Sequence, residues 1–192
     1  MRTRNISKFI GIILLVGVVA SCTSPQGDNV AGKKKAVQDM RRDTLAKLYQ
    51  IHPDARERIN KSVGYAVFSN VGINLIFLSA GNGWGIVRDN RNRKDVYMKM
   101  ASAGLGIGLG AKDFRGVFVF TKRNALNQFV EKGWDASGQA DAAAKSGKKG
   151  GAFAGAIDVA PGIWLYQITE HGLALQATVQ GTKYWKDDEL NL

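Results

Sequence analysis

The chain has 192 residues and a mass of 20.8 kDa, room for one domain with its own core and too little for two. With 45% hydrophobic and 22% charged residues it is not a disordered chain; 23 glycines beside 3 prolines, without a G-X-Y period, exclude collagen, and one Cys and two His exclude a disulfide framework and a Cys-built zinc site. Lys and Arg outnumber Asp and Glu by 27 to 16, a net charge of +11, which suits an acidic partner: nucleic acid, anionic lipid or another polyanion.

Residues 1–21 read as an export signal. Arg2, Arg4 and Lys8 precede an apolar run from Phe9 to Val19, too short for a bilayer span of roughly 20 residues. Val19-Ala20-Ser21-Cys22 then matches the lipoprotein pattern of an aliphatic residue, two small residues and Cys. The small side chains let a signal peptidase draw in an extended backbone. The Cys22 thiol then takes a diacylglycerol and becomes the mature N-terminus, so the chain is expected to be held on a membrane through lipid on Cys22. Thr23, where Asp would signal retention in the inner membrane, points to the outer membrane, facing the periplasm. Removing 1–21 takes away three cations and no acid, so the mature chain keeps +8. Residues 22–32 form a short lipidated tether, and 33–192 a single domain.

Val37, Met40, Thr44, Leu45, Leu48 and Tyr49 recur at helical spacing. Pro53 opens a second helix, Asp54 to Lys61, with His52 as a loop or cap residue. From Val63 the period becomes two. Strands are predicted over Val63–Phe68 and Ile73–Leu78, split by Asn70-Val-Gly72, then Trp84–Val87, a basic turn Arg88–Lys94, and Asp95–Ala101. Ala103–Ala111 reads as one strand with Gly104, Gly106, Gly108 and Gly110 on a single face. Val117–Phe120 is a further strand. Thr121 caps a helix whose stripe is Ala125, Leu126 and Phe129, stopped by Gly133. Residues 134–151 read as an exposed loop. Strands follow at 153–159, 163–169 and 173–180, around a Glu170-His-Gly172 turn, and Lys183–Leu192 is a polar tail. Helices, a run of strands, one helix and more strands make an α+β protein: N-terminal helices plus a curved, mainly antiparallel, barrel-like sheet with one inserted helix.

Neither glycine cluster fits a nucleotide loop, because a phosphate cradle needs a helix directly after the glycines and here strand patterns follow. A glycine face allows either close approach of another backbone or ring, or a groove for a lipid chain. His171 falls in a hairpin turn, and Ser102 and Ser137 have no nucleophile motif. No catalytic or metal constellation is visible and no cofactor is expected, so a non-enzymatic role is expected. Three basic clusters remain: Lys33, Lys34 and Lys35 with Arg41 and Arg42 beside the anchor; Arg88, Arg91, Arg93 and Lys94; and Lys145, Lys148 and Lys149. They suit a solvated surface or an anionic bilayer, where each cation contributes about 1 kcal/mol. Nucleic acid is excluded by export and by the lack of aromatics between the cations.

Gly64-Tyr-Ala-Val-Phe-Ser-Asn-Val-Gly72, Ser79-Ala-Gly-Asn-Gly-Trp-Gly-Ile-Val87, Ala103-Gly-Leu-Gly-Ile-Gly-Leu-Gly-Ala111, and Val117-Phe-Val-Phe-Thr121 before an Ala-Leu-x-x-Phe helix occur in serial order. With Gly133–Gly138 and Glu170–Gly181 they resemble the SYLF-domain (actin-binding-like) family over most of 36–183. That family occurs in bacterial lipoproteins and eukaryotic endocytic proteins. The resemblance implies lipid or phosphoinositide binding and, in eukaryotic members, actin binding; it supplies no catalytic residues. For an exported bacterial chain the expectation is an envelope lipoprotein that binds anionic phospholipids. The alternative is a structural module of the envelope that binds a protein or polymer.

Overall fold

The computed structural model describes residues 24–75, 78–104, 110–135, 155–169, 172–173 and 181–192. Helix α1 spans Val30–Ile51. It starts three residues before the lysine run because the Asn29 side chain accepts a hydrogen bond from the Gly32 N–H at 2.8 Å. Val37, Met40, Thr44 and Leu48 form its buried stripe. Pro53, at φ −59°, leads into α2, Asp54–Lys61, with Asp54 and Glu57 in the first turn and Arg58 and Lys61 in the last, each sign at the dipole end that favours it.

Strand β1 covers Gly64–Leu75 and β2 covers Leu78–Asp89. They form a continuous antiparallel hairpin from Gly64↔Asp89 to Leu75↔Leu78, closed by two residues. The break expected at 70–72 is therefore absent. β1 is flanked on both sides, Gly72 pairing with Gly81 and with Lys112, and two backbone ladders hold a strand through a local turn signal. Strand β3 is Asp95–Gly104 and β4 is Gly110–Phe120. The single strand expected over 103–111 is corrected likewise. Gly104 closes β3 and Gly110 opens β4, strands separated in the sheet by β2 and β1, while Gly106 and Gly108 lie outside the described residues.

Helix α3, Arg123–Glu131, follows β4. Its cap is Lys122 rather than Thr121, without a side-chain hydrogen bond. Gly133 stops it as expected, at φ +71° and so close to the chain that a Cβ there would lie 2.4 Å from the Tyr184 carbonyl oxygen. The remaining strands are β5 (Trp134–Asp135), β6 (Ile157–Ala160), β7 (Ile163–Thr169), β8 (Gly172–Leu173) and β9 (Gly181–Lys186), before a 3₁₀ turn at Glu189–Asn191. The sheet order is β5-β9-β3-β2-β1-β4-β7-β6, with β8 on β7, and the described pairings are antiparallel. The fold is α+β with a curved sheet.

Both faces of the central strands are buried. Val67, Ile86, Val117, Val119 and Tyr166 pack under α1 and α2. Ala66, Phe68, Val87, Phe118 and Phe120 pack under α3 with Leu126, Phe129 and Tyr184. This two-sided burial is why Val117-Phe-Val-Phe120 is apolar throughout. Tyr184 corrects the expectation of a polar tail. Its ring lies 4.8 Å from Phe68, 5.3 Å from Phe118 and 5.5 Å from Phe129, and burial pushes its phenol well above the usual value. The Phe68 and Phe118 contacts are edge-to-face, and such pairs add about 0.5–1.5 kcal/mol each beyond the area they bury.

Gly85 carries the tightest requirement in this core. A Cβ there would lie 2.4 Å from both the Val67 carbonyl oxygen and the Phe68 ring. The first is backbone and the second is held by three other rings, so neither can retreat. Gly85→Ala should cost about 1–3 kcal/mol in urea unfolding. Gly116→Ala, whose Cβ would meet only the Leu165 side chain at 3.3 Å, should cost less.

Candidate functional site

The helix-borne cations are mostly committed to acids. Lys33 pairs with Glu189 at 2.7 Å, Lys35 with Asp39 at 2.5 Å, and Arg42 with Asp39 at 2.8 Å and Asp43 at 3.1 Å. Lys34 lies over the Tyr97 ring, 5.7 Å from its centre. Arg41 reaches Asp95 at 2.9 Å, and Arg88 grips the same carboxylate through Nε and Nη2. Arg88 belongs to β2, not to the turn, and these side chains are only 16–24% exposed. Asp95 thus ties α1 to the β2–β3 hairpin, and Arg41 and Arg88 serve the fold rather than an open surface.

The hairpin end is different. Asp89 accepts from the Arg91 N–H at 2.9 Å and Asn92 from the Lys94 N–H at 2.9 Å, while Arg93 adopts φ +60°. Asn90 Nδ2 donates to the Ile59 and Ser62 carbonyls at 2.8 and 3.1 Å, and Arg123 of α3 pairs with Asp89 at 2.6 Å. The turn is therefore pinned to both helical layers. Arg91, Arg93 and Lys94 are exposed, and none has an ion pair among the described residues.

Beside this turn, a cleft of about 200 Å³ opens between the hairpin and α3. Val87, Val96, Leu126 and Val130 form its apolar part, and Lys94, Glu131 and Lys186 stand on it. Lys186 and Glu131 escape sequence reading because they lie about 40 to 90 residues from the hairpin that completes the cleft. The one local signal is Glu131 itself, an acid at the C-terminal end of a helix, where the dipole disfavours it.

Cys22, Lys145, Lys148, Lys149, Ser137 and His171 lie outside the described residues. Ser102 is half-buried in β3 and donates to the Gly81 carbonyl at 3.4 Å. His52 caps the end of α1, with Nδ1 3.3 Å from Asp54 Oδ1. Its ring lies 6.2 Å from that of Tyr166, whose hydroxyl is buried without a partner among the described residues. No described helix is long and apolar enough to cross a membrane, which says nothing of membrane-crossing strands.

The fold and site define a class: a curved antiparallel sheet covered by helices on both faces, with a pinned cationic turn at one hairpin end. The chain is similar to Beta cell expansion factor A of Aeromonas veronii, 34% identical over 155 residues, which are 81% of this chain and 58% of that protein. It thus spans a little over half the length of that relative. No family model matches the chain.

Asp95→Ala would leave two half-buried guanidiniums facing each other without their carboxylate. It should cost about 1.5–3 kcal/mol in urea unfolding, whereas Lys35→Ala, which breaks an exposed pair, should cost at most about 0.5 kcal/mol.

Acid should destabilise the fold in a defined window. Partial burial raises the Asp89 carboxyl, but the Arg91 N–H and the Arg123 guanidinium outweigh it and hold the group below its usual range. A hydrogen bond from Lys33 lowers Glu189, and one from Lys35 lowers Asp39. Groups depressed on folding stabilise fully above their unfolded values, about 3.9 for Asp and 4.3 for Glu, and lose that contribution as pH falls through the folded ones. Melting followed by circular dichroism should therefore be nearly flat from about pH 7 to 5 and fall below about pH 4, with Asp89→Asn removing part of the slope.

Proposed function

We propose that this chain is a SYLF-type lipoprotein of the bacterial envelope, held on the outer membrane through lipid on Cys22 and facing the periplasm. Its domain binds anionic phospholipid head groups and catalyses no reaction. The observation that carries this reading is the hairpin end, where Arg91, Arg93 and Lys94 stand exposed, with no ion pair among the described residues, on a turn fixed by Asn90 and Arg123. A turn whose backbone is already fixed spares part of the ordering cost when its side chains meet a phosphate, and Asp89 and Asp95 beside it are engaged by Arg123, Arg41 and Arg88. Three cations at about 1 kcal/mol each give about 3 kcal/mol, a millimolar-range affinity on their own. The anchor then supplies the local concentration that makes so weak a contact persistent. The name of the relative describes an effect on beta cells; for this chain an activity toward a host cell would be a consequence of membrane contact.

Flotation of residues 24–192 at several millimolar accessible lipid tests the reading, because a contact of this strength then holds a measurable share of the chain without the anchor. The chain should float with phosphatidylglycerol-rich vesicles at low salt and far less with phosphatidylcholine vesicles. Binding should collapse near 1 M salt, where the Debye length shrinks to about 3 Å. Reversing Arg91, Arg93 and Lys94 to Glu should abolish binding, while reversing Lys33, Lys34 and Lys35 should weaken it less. Equal, salt-insensitive binding to both vesicle types would contradict the electrostatic mechanism.

A further inference from the structure

We propose that the cleft between α3 and the β2–β3 hairpin is a seat for a phosphoethanolamine group, a phosphate ester joined by two methylenes to a primary ammonium. This goes beyond the anionic-surface reading and does not need it, since a phosphoethanolamine head group carries no net charge.

The argument starts from the charges left over. Four charged side chains line the cleft: Asp89, Lys94, Glu131 and Lys186. Asp89 is taken by Arg123 at 2.6 Å and by the Arg91 N–H at 2.9 Å. Lys94, Lys186 and Glu131 have no ion pair among the described residues, so two ammoniums and one carboxylate are free over one apolar floor. Glu131 is the last residue of α3, and that helix has no basic residue in its final turn. A carboxylate at the negative end of the helix dipole, in no ion pair among the described residues, is an arrangement the dipole disfavours.

A bare anion would satisfy the lysines but meet Glu131 as a like charge. A bare amine would satisfy Glu131 but meet two lysines. A phosphate and an ammonium on a short spacer satisfy all three, with the methylenes on Val87, Val96 and Val130. The Asn92 Oδ1 is occupied by the Lys94 N–H at 2.9 Å, which leaves its amide hydrogens for a phosphate oxygen. Size agrees, because about 200 Å³ lies below the roughly 300 Å³ at which drug-sized pockets begin. The seat admits a head group and not a whole lipid. A primary ammonium can donate charge-assisted hydrogen bonds to Glu131, which a trimethylammonium cannot.

The test is an NMR titration of the ¹⁵N-labelled full chain in phosphatidylcholine nanodiscs with free O-phosphoethanolamine. The Asn92 and Asn127 side-chain amides should shift saturably, with phosphocholine and inorganic phosphate each weaker by about tenfold, a difference of about 1.4 kcal/mol. Glu131→Gln should bring phosphoethanolamine down to the affinity of phosphate and leave phosphate unweakened. Lys186→Gln should weaken every phosphate-bearing probe. Both positions are exposed, and amide dispersion reports whether each variant folds. Nanodiscs containing phosphatidylethanolamine decide the source: the same resonances shifted without free ligand assign the seat to a membrane head group, and their absence, with free ligand still bound, assigns it to a soluble ester. No saturable shift, or equal affinity for phosphoethanolamine and phosphate that Glu131→Gln leaves unchanged, overturns the proposal. Neither variant touches Arg91 or Arg93, so its failure is separate from that of the anionic-surface reading.

Discussion

Burial of the central sheet on both faces is the constraint that the other elements answer to. Alternate residues of β1 and β4 point into two different cores, so Val67 and Val119 need α1 and α2 while Phe68 and Phe120 need α3. Neither helical layer is optional, because an uncovered face would expose a row of Val, Phe and Tyr to water. The same demand draws the C-terminal segment back into the sheet. β9 pairs with β3 so that Tyr184 can complete the aromatic cluster under α3, and Leu190 then closes against the α1 side. Gly85 fits this scheme as the place where the Phe68 ring must cross a neighbouring strand.

The acids are scarce, and their placement decides which cations matter. Asp39, Asp43, Asp95 and Glu189 all lie where α1 meets solvent, the hairpin or the C-terminal turn, and each holds a Lys or Arg. Half-buried pairs such as Arg41–Asp95 orient the layers, since breaking them leaves a charge that water reaches poorly. Exposed ones such as Lys61–Glu57 add little. With the acids spent this way, Arg91, Arg93 and Lys94 at the end of the β2–β3 hairpin are left without an ion pair among the described residues.

That hairpin end joins rigidity to charge. The Asn90 and Arg123 contacts fasten the turn to α2 and α3, so its cations are presented by two packed layers and not by a free loop. The adjoining cleft follows from the same geometry: α3 crosses the sheet at the height of Val87 and Val96, and its last turn sets Glu131 within the cleft lined by Lys186 of β9.

The sequence by itself determines the export signal pattern, the amphipathic stripe of α1, the Pro53 start of α2, the α3 stripe with its Gly133 stop, and the α+β class, because each depends on residues within one or two turns of one another. It also marks the three basic clusters. It does not show which cations are free: the partner of Arg41 is Asp95, 54 residues away, and that of Lys33 is Glu189, 156 residues away. Only the tertiary structure decides that β1 runs unbroken through Asn70–Gly72, that 103–111 divides between two distant strands, and that the polar C-terminal stretch is a core strand. In each case hydrogen-bond ladders and ring contacts from far along the chain outweigh local turn signals and composition, since a strand's stability resides in its neighbours more than in its own residues.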